Sequence, residues 1–110
     1  MTDAVPLEIG VTDLERWRQG AEAPAILDVR EPWEVAICGF PEALHIPLAA
    51  LPDQLDRVPD DRPVVVVCHH GMRSLQAVRW LRAQGRDQAI NLAGGVDAWA
   101  RTVDPAMPTY

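Results

Sequence analysis

The stretch that decides the fold reads Pro63-Val64-Val65-Val66-Val67-Cys68-His69-His70-Gly71-Met72-Arg73-Ser74. Its four consecutive valines predict a buried β-strand, because β-branched side chains favour an extended backbone and the run is apolar on both faces. Ser74 is a candidate N-cap for a helix, since apolar residues at helical spacing follow it. The sequence therefore predicts a strand, a short loop and a helix, with the thiol of Cys68 at the helix N-terminus.

A thiol at this position is favoured in its ionised form. The first N–H groups of a helix have no partner within the helix, and the positive end of the helix dipole lies beside them. Both effects favour the thiolate of Cys68 over the thiol. We therefore expect an anion cradle with a nucleophile at its centre.

Length and charge limit the possible functions. We assign all 110 residues to a single domain, with a core at about 7–103 and a proline-rich tail at 104–110. The formal net charge of −6 and the lack of a basic stripe argue against nucleic acid or an anionic membrane as a partner. No apolar run is long enough to span a bilayer, and the acidic start has no signal-peptide pattern. We expect a cytoplasmic location.

Strand patterns alternate with helix patterns along the rest of the chain. A capping box at Thr12-Asp13-Leu14-Glu15 begins a helix that Gly20 can end. Further strands are predicted at 25–29, 44–46 and 89–92. A brief helix is predicted at Pro32, and another is predicted late in the segment 48–57, because Pro52 interrupts its start. A third helix follows the loop after Cys68 and extends to about residue 84. The last one begins after Gly94-Gly95.

This alternation predicts an α/β fold with a mostly parallel central sheet and helices on both faces. Ligands of such open sheets bind beyond the carboxyl ends of the strands. Cys68 lies at one such end, and the segment from Asp28 to Arg30 lies at another. We expect these segments to lie close to the functional site.

Four segments in order resemble the single-domain rhodanese sulfurtransferases, over about residues 7–103. They are Ile26-Leu27-Asp28-Val29-Arg30-Glu31, the stretch from Glu34 to Leu48 that ends Ala43-Leu44-His45-Ile46-Pro47-Leu48, the loop from Cys68 to Ser74, and Leu92-Ala93-Gly94-Gly95-Val96-Asp97-Ala98-Trp99. The second segment departs from the family pattern, because Gly39-Phe40 replaces the usual glycine-histidine pair. The resemblance implies a rhodanese-like α/β domain.

The resemblance also implies a reaction. Cys68 would be the catalytic nucleophile that takes a sulfane sulfur from a small anionic donor, thiosulfate or a persulfide, and becomes a persulfide itself. A thiol, cyanide or a protein acceptor would then remove that sulfur. No cofactor or metal is implied. The residues expected to cradle the persulfide and bind the donor are His69, His70, Gly71, Met72, Arg73 and Ser74, with Asp28 and Arg30 as supporting residues.

The length of the loop from Cys68 to Arg73 distinguishes between possible functions of the same fold. Four residues lie between Cys68 and Arg73, whereas the related dual-specificity phosphatases have five. Phosphate is larger than a terminal sulfur and needs a wider ring of donors, so the shorter loop favours sulfur over phosphate or arsenate chemistry. A non-catalytic binding module of the same fold, with an inert thiol, is the other alternative.

His69 and His70 beside Cys68 resemble a metal motif, but we predict no metal site. Adjacent loop side chains are expected to point apart, and no second cluster supplies a fourth ligand. The histidines are expected either to line the pocket mouth, where partial protonation adds positive potential, or to be solvated.

The remaining candidates are given structural roles. Cys38 is expected to be a small packed hydrophobe, with a redox partner of Cys68 as the alternative. His45, in an apolar strand, is expected to be a hydrogen-bonded core histidine. The size of the chain and the family precedent favour a monomer or a weak dimer. The tryptophans expected to anchor the packing are Trp33, Trp80 and Trp99.

Overall fold

Five parallel strands form the central sheet of the computed structural model, which describes residues 5–110. The strands are β1 (Glu8–Ile9), β2 (Ala25–Asp28), β3 (Leu44–His45), β4 (Val64–Val67) and β5 (Ala89–Leu92). Their order across the sheet is β1-β5-β4-β2-β3, and every pair is parallel. The valine strand β4 is therefore central, and the predicted α/β class with a parallel sheet is confirmed.

Helices cover both faces of this sheet. They are α1 (Val11–Arg18), α2 (Pro32–Ile37), α3 (Met72–Ala83) and α4 (Gly95–Thr102), together with a 3₁₀ segment at Leu48–Arg57. Val64 and Val66 join the core cluster that contains residues of α3 and the 3₁₀ segment. Val65 and Val67 join the cluster that contains residues of α1 and α4. Because all four valines are buried, the strand is covered on both sides as its composition predicts.

The start of α3 differs from the sequence prediction. The N-cap is Gly71, in a left-handed conformation with φ of 100°, and the helix begins at Met72. Ser74 therefore lies inside the first turn, where its side chain is free to face the loop. The strand β1 is not predicted by the sequence pattern, because two residues are too few to show an alternation.

Two smaller differences have local causes. Gly10 is the N-cap of α1 instead of Thr12, because the Asp13 carboxylate accepts a hydrogen bond from the Gly10 N–H at 3.4 Å. The segment 48–57 turns from Leu48 onward and not only after Pro52. Its hydrogen bonds include i→i+3 links, so one missing proline N–H does not prevent the tighter 3₁₀ turns.

Across residues 5–110, none of the helices combines the length and the apolar character that a bilayer crossing needs. The acidic start of the chain, expected to lack a signal-peptide pattern, falls largely on residues 1–4, which lie outside the described residues.

Candidate active site

Cys68 lies directly after β4, at the centre of the carboxyl edge of the sheet, and is 1% exposed. The chain then turns through Gly71, where an added Cβ would lie 3.1 Å from the Gly94 nitrogen and 3.2 Å from the Leu92 oxygen. The positive φ and this close approach both require glycine. The loop can therefore return toward Cys68 and begin α3 beside its sulfur.

Two backbone N–H groups and one hydroxyl surround the sulfur of Cys68. Its Sγ accepts hydrogen bonds from the Gly71 N–H at 3.1 Å and the Ser74 N–H at 3.3 Å, and the Ser74 hydroxyl oxygen lies 3.2 Å from it. Donors aimed at one sulfur favour negative charge on it. Within residues 5–110, hydrogen bonds to this sulfur come from two of the six expected cradle residues. The other four lie in the loop and the first turn of α3: His69, His70, Met72 and Arg73.

Asn91 of β5 completes the polar surroundings of the loop. Its side-chain oxygen lies 2.5 Å from the Ser74 hydroxyl, and its nitrogen donates to the Gly71 carbonyl and the Glu8 carboxylate, each at 3.1 Å. One hydroxyl proton cannot be donated to both Asn91 and Cys68 at the same time. Asn91 was not predicted from the sequence as a site residue, although a polar residue inside an otherwise apolar strand can indicate one.

Helix α4 holds the loop from the other side. The Val96 N–H donates to the Cys68 carbonyl and the Asp97 N–H donates to the His69 carbonyl, each at 3.0 Å. Gly95 makes this approach possible, because a Cβ there would lie 2.3 Å from the Cys68 oxygen and 2.5 Å from the His69 oxygen. The Gly94-Gly95 turn therefore sets the backbone position of the loop.

Replacing Gly95 by alanine is expected to lower the free energy of unfolding by about 2–3 kcal/mol, because a left-handed residue gains a Cβ and the loop must move away from it. Urea unfolding measures this loss. Gly85→Ala is the matched control, since Gly85 also has a positive φ but meets nothing within 4 Å. Equal losses in the two variants would contradict the proposed close approach.

A buried ion pair lies at the neighbouring strand end. Arg30 is 0% exposed, and its guanidinium meets the Asp28 carboxylate at 2.7 and 3.0 Å. It also donates to the Cys38 carbonyl at 2.7 Å and to the Tyr110 hydroxyl at 2.9 Å. Burial opposes the charge of Arg30, but the hydrogen bonds with Asp28 and Tyr110 outweigh burial and raise its pKa. The two expected supporting residues thus form one charged unit.

Arg73 is bound by Glu34 of α2. Its two terminal nitrogens meet the two carboxylate oxygens at 2.6 and 2.8 Å. Glu34 is 3% exposed and also accepts hydrogen bonds from the Tyr110 hydroxyl at 2.8 Å and the Glu31 N–H at 3.1 Å. Arg73, expected to attract an anion, therefore carries a paired charge. Sequence reasoning assigned no role to Glu34 or Tyr110, which lie far from Arg73 in the chain.

The Glu34 pair predicts a dependence of stability on pH. The hydrogen bond from Arg73 lowers the pKa of Glu34 from its usual 4.5 to about 2. Between these values the unfolded chain binds more protons than the folded one, so the stabilisation is complete above pH 4.5 and is lost as pH falls toward 2. We expect unfolding at pH 3 to show about 1–2 kcal/mol of this loss, because water screens the partly exposed Arg73. Glu34→Gln should lack it; an equal loss in both proteins would contradict the prediction.

The two histidines do not point apart as expected. The His69 ring lies 3.9 Å from the His70 ring and stacks on the Tyr110 ring at 3.9 Å with an angle of 10°. Burial and the neighbouring His70 lower the pKa of His69, so His69 adds little positive charge at neutral pH. His69, His70 and Asp97 have potential ligand atoms within 4.8 Å of one another, but the Asp97 carboxylate is bonded to Arg101 at 3.0 Å.

The remaining candidates take structural positions. His45 has the expected hydrogen bond, to the Arg30 carbonyl at 2.7 Å, but it is only half-buried and is not a core residue. Cys38 is buried and, like Cys68, is a free thiol. Trp99 and Trp80 pack in the core clusters, as expected. Trp33 does not; it is 62% exposed, because the short helix α2 leaves it at the surface, edge-on to the Tyr110 ring.

The sequence of this chain is similar to those of known proteins. Residues 11–102 match the family model of the rhodanese-like domain. A sulfurtransferase of Allochromatium vinosum is 38% identical over 94 residues, which are 86% of this chain and 88% of that protein. The chloroplastic rhodanese-like/PpiC domain-containing protein 12 of Arabidopsis thaliana is 36% identical over 89 residues, which are 77% of this chain but 30% of that protein.

Solved structures agree with these matches. The crystal structure of a rhodanese-like domain protein from Staphylococcus aureus has a TM-score of 0.81 and 30% identity, and the match covers 94% of this chain and 97% of that one. The tail that carries Tyr110 lies beyond the residues matched by the family model. Tyr110 therefore contributes to the site from outside residues 11–102.

Proposed function

The chain belongs to the rhodanese-like domain family of sulfurtransferases, and on that premise we propose that Cys68 carries sulfur as a persulfide between an anionic donor and a nucleophilic acceptor. The observation that carries the proposal is the pair of backbone N–H donors, from Gly71 and Ser74, within 3.3 Å of the Cys68 sulfur at the start of α3. Such a setting favours a thiolate that can both attack and leave.

The proposed reaction has two balanced steps. The Cys68 thiolate attacks the outer sulfur of the donor; with thiosulfate, the bond between its two sulfur atoms breaks and the electron pair leaves with sulfite. Cys68 is left as a persulfide anion. A thiolate or cyanide then attacks the terminal sulfur, the persulfide bond breaks, and the Cys68 thiolate returns.

The loop supports the charged intermediate of this scheme. We expect the terminal sulfur of a persulfide on Cys68 to be cradled by the backbone of residues 69–73, because N–H groups and the helix dipole at the N-terminus of α3 favour an anion. The N-terminal N–H groups of α4 hold this backbone, because Val96 donates to the Cys68 carbonyl and Asp97 donates to the His69 carbonyl.

Loop size and the pairing of Arg73 favour sulfur over phosphate. The stretch from Cys68 to Arg73 has six residues. A phosphate dianion needs a wider ring of donors and an arginine whose guanidinium is free to donate hydrogen bonds to two of its oxygens. Arg73 instead uses both terminal nitrogens on Glu34. No metal or organic cofactor has a step in the proposed reaction.

The test is direct loading of the protein with sulfur. After incubation with a sulfane donor and removal of the excess, we expect the intact mass to rise by one sulfur atom, with the added mass located on Cys68 by peptide mapping. Cyanide should then release one thiocyanate per loaded protein. A protein that gains no sulfur from any donor would overturn the proposal, and hydrolysis of an aryl phosphate by such a protein would favour the phosphatase alternative.

A further inference from the structure

Two acceptors compete for one hydroxyl proton beside the nucleophile. The Ser74 oxygen lies 2.5 Å from the side-chain oxygen of Asn91 and 3.2 Å from the sulfur of Cys68, and all three residues are buried. Since the hydroxyl has a single proton, it donates to one of these acceptors at a time. The choice between them decides how well a negative charge on the Cys68 sulfur is stabilised.

The side-chain amide of Asn91 has a fixed orientation. Its nitrogen donates to the Gly71 carbonyl and to the Glu8 carboxylate, each at 3.1 Å. Turning the amide over would place its oxygen against these two acceptors, so the oxygen must face Ser74. Both hydrogen bonds also polarise the amide and make its oxygen a better acceptor. Glu8 lies before residue 11, at which the match to the family model begins.

The two acceptors differ in what they lose without the hydroxyl proton. The Cys68 sulfur keeps the N–H donors of Gly71 and Ser74. The side-chain oxygen of Asn91, by contrast, has the Ser74 hydroxyl as its single donor among residues 5–110. A buried oxygen left without a donor is costly. The proton is therefore more stable between Ser74 and Asn91.

We propose that Asn91 is a positioning residue that holds the Ser74 hydroxyl proton away from Cys68 and thereby favours the persulfide over the thiolate. This inference rests on the proposed function of Cys68. In the thiolate form the negative charge lies on the Cys68 sulfur, where the hydroxyl proton would stabilise it. In the persulfide form the charge lies on the terminal sulfur, and the Cys68 sulfur is a weak acceptor. Withholding the proton therefore raises the free energy of the thiolate more than that of the persulfide.

This arrangement affects both steps of the proposed reaction. A thiolate that lacks one hydrogen bond attacks a donor more readily and is a poorer leaving group. Loading of Cys68 is therefore favoured at equilibrium. The persulfide is retained against weak nucleophiles until a strong one, such as an acceptor thiolate, arrives.

The experiment measures the equilibrium constant for loading, with thiosulfate and sulfite as the probe couple at one fixed pH. The Cys68 thiolate and thiosulfate give the persulfide and sulfite, so the charges balance and no oxidant or reductant is needed. Intact mass gives the ratio of loaded to free protein at each ratio of thiosulfate to sulfite. If thiosulfate does not load the protein, benzenethiosulfonate and benzenesulfinate form a couple of the same kind.

Asn91→Leu is the first variant, because it removes the accepting oxygen and keeps the approximate volume of the side chain. The Ser74 hydroxyl can then donate to the Cys68 sulfur and stabilise the thiolate. We expect the equilibrium constant for loading to fall by about tenfold, the scale of a hydrogen bond to a charged group. Thermal unfolding verifies that the variant is folded.

Ser74→Ala distinguishes this effect from a movement of the loop. Without the hydroxyl, the replacement of Asn91 releases no proton, so Asn91→Leu should change the equilibrium constant by less than about twofold in the Ser74→Ala background. The lost contact between Asn91 and the Gly71 carbonyl is common to both backgrounds and cancels in this comparison. Ser74→Ala alone should not raise the equilibrium constant by more than about threefold, because the hydroxyl does not donate to the sulfur.

The outcomes separate this inference from the proposed function. A rise of about tenfold in Ser74→Ala would mean that the hydroxyl stabilises the thiolate, and would overturn the inference. An equal fall for Asn91→Leu in both backgrounds would mean that Asn91 only supports the loop, and would contradict it as well. If Asn91→Leu does not fold, Ser74→Ala alone decides between the two acceptors. Failure of the unaltered protein to load from either couple would instead refute the proposed function.

Discussion

Replacing Cys68 by serine is expected to abolish sulfur loading and to lower turnover by about 10⁴-fold or more, the scale seen when a covalent nucleophile is removed. A serine hydroxyl is not ionised at neutral pH and forms no persulfide. The substitution changes one buried atom, and the donors of Gly71 and Ser74 can still reach an oxygen in its place. The loss should therefore arise from the chemistry and not from unfolding.

Cys38→Ser is the matched control for this variant, because Cys38 is the other free thiol and is also buried. We expect Cys38→Ser to accept one sulfur atom per chain, as the unaltered protein does, and Cys68→Ser to accept none. Intact mass after donor treatment measures both, and thermal unfolding verifies that both variants are folded. Loading of Cys68→Ser to full stoichiometry would contradict the assignment of the nucleophile.

The parts of the fold that follow from local sequence could be predicted. Four consecutive valines are buried together only in a strand covered on both faces, and all four are buried. The loop after them places Cys68 and the start of a helix within a few residues, so their proximity is also local. The helix start was predicted at Ser74 and observed at Met72, because the positive φ of Gly71 decides it and the serine has a different partner.

The groups that complete the site come from distant parts of the chain, which explains why the sequence alone did not reveal them. Glu34 lies 39 residues before Arg73 and 76 residues before Tyr110. Nothing local to a tail tyrosine or a helix-start glutamate indicates such a contact. Only the packing of α2 and the tail against the loop brings these side chains together, and that packing depends on the whole sheet.

Two charged pairs are thereby joined into one network at the carboxyl edge of the sheet. Asp28 binds Arg30, Glu34 binds Arg73, and the Tyr110 hydroxyl connects the two pairs by accepting from Arg30 and donating to Glu34. Arg30 cannot shed its charge in the folded state, because its hydrogen bonds raise its pKa despite burial. The stability of the network thus depends on the carboxylate that faces Arg30.

Asp28→Asn is therefore expected to lower the free energy of unfolding by about 3–5 kcal/mol, the usual loss when one partner of a buried ion pair is removed. The asparagine keeps the size of the side chain but replaces one accepting oxygen by an NH₂ group that faces the Arg30 guanidinium. Urea unfolding at neutral pH measures the loss. Glu42→Gln, which breaks the surface pair with Arg18, should lose at most about 1 kcal/mol in the same measurement.

A double variant distinguishes the buried charge from simple loss of contacts. Asp28→Asn combined with Arg30→Met removes the unpaired charge as well as its partner, so it should recover at least about half of the stability that Asp28→Asn loses. If the double variant is less stable than Asp28→Asn, the Arg30 contacts with Cys38 and Tyr110 outweigh the charge. If Asp28→Asn itself loses no more than Glu42→Gln, those contacts already compensate Arg30, and the network does not depend on Asp28.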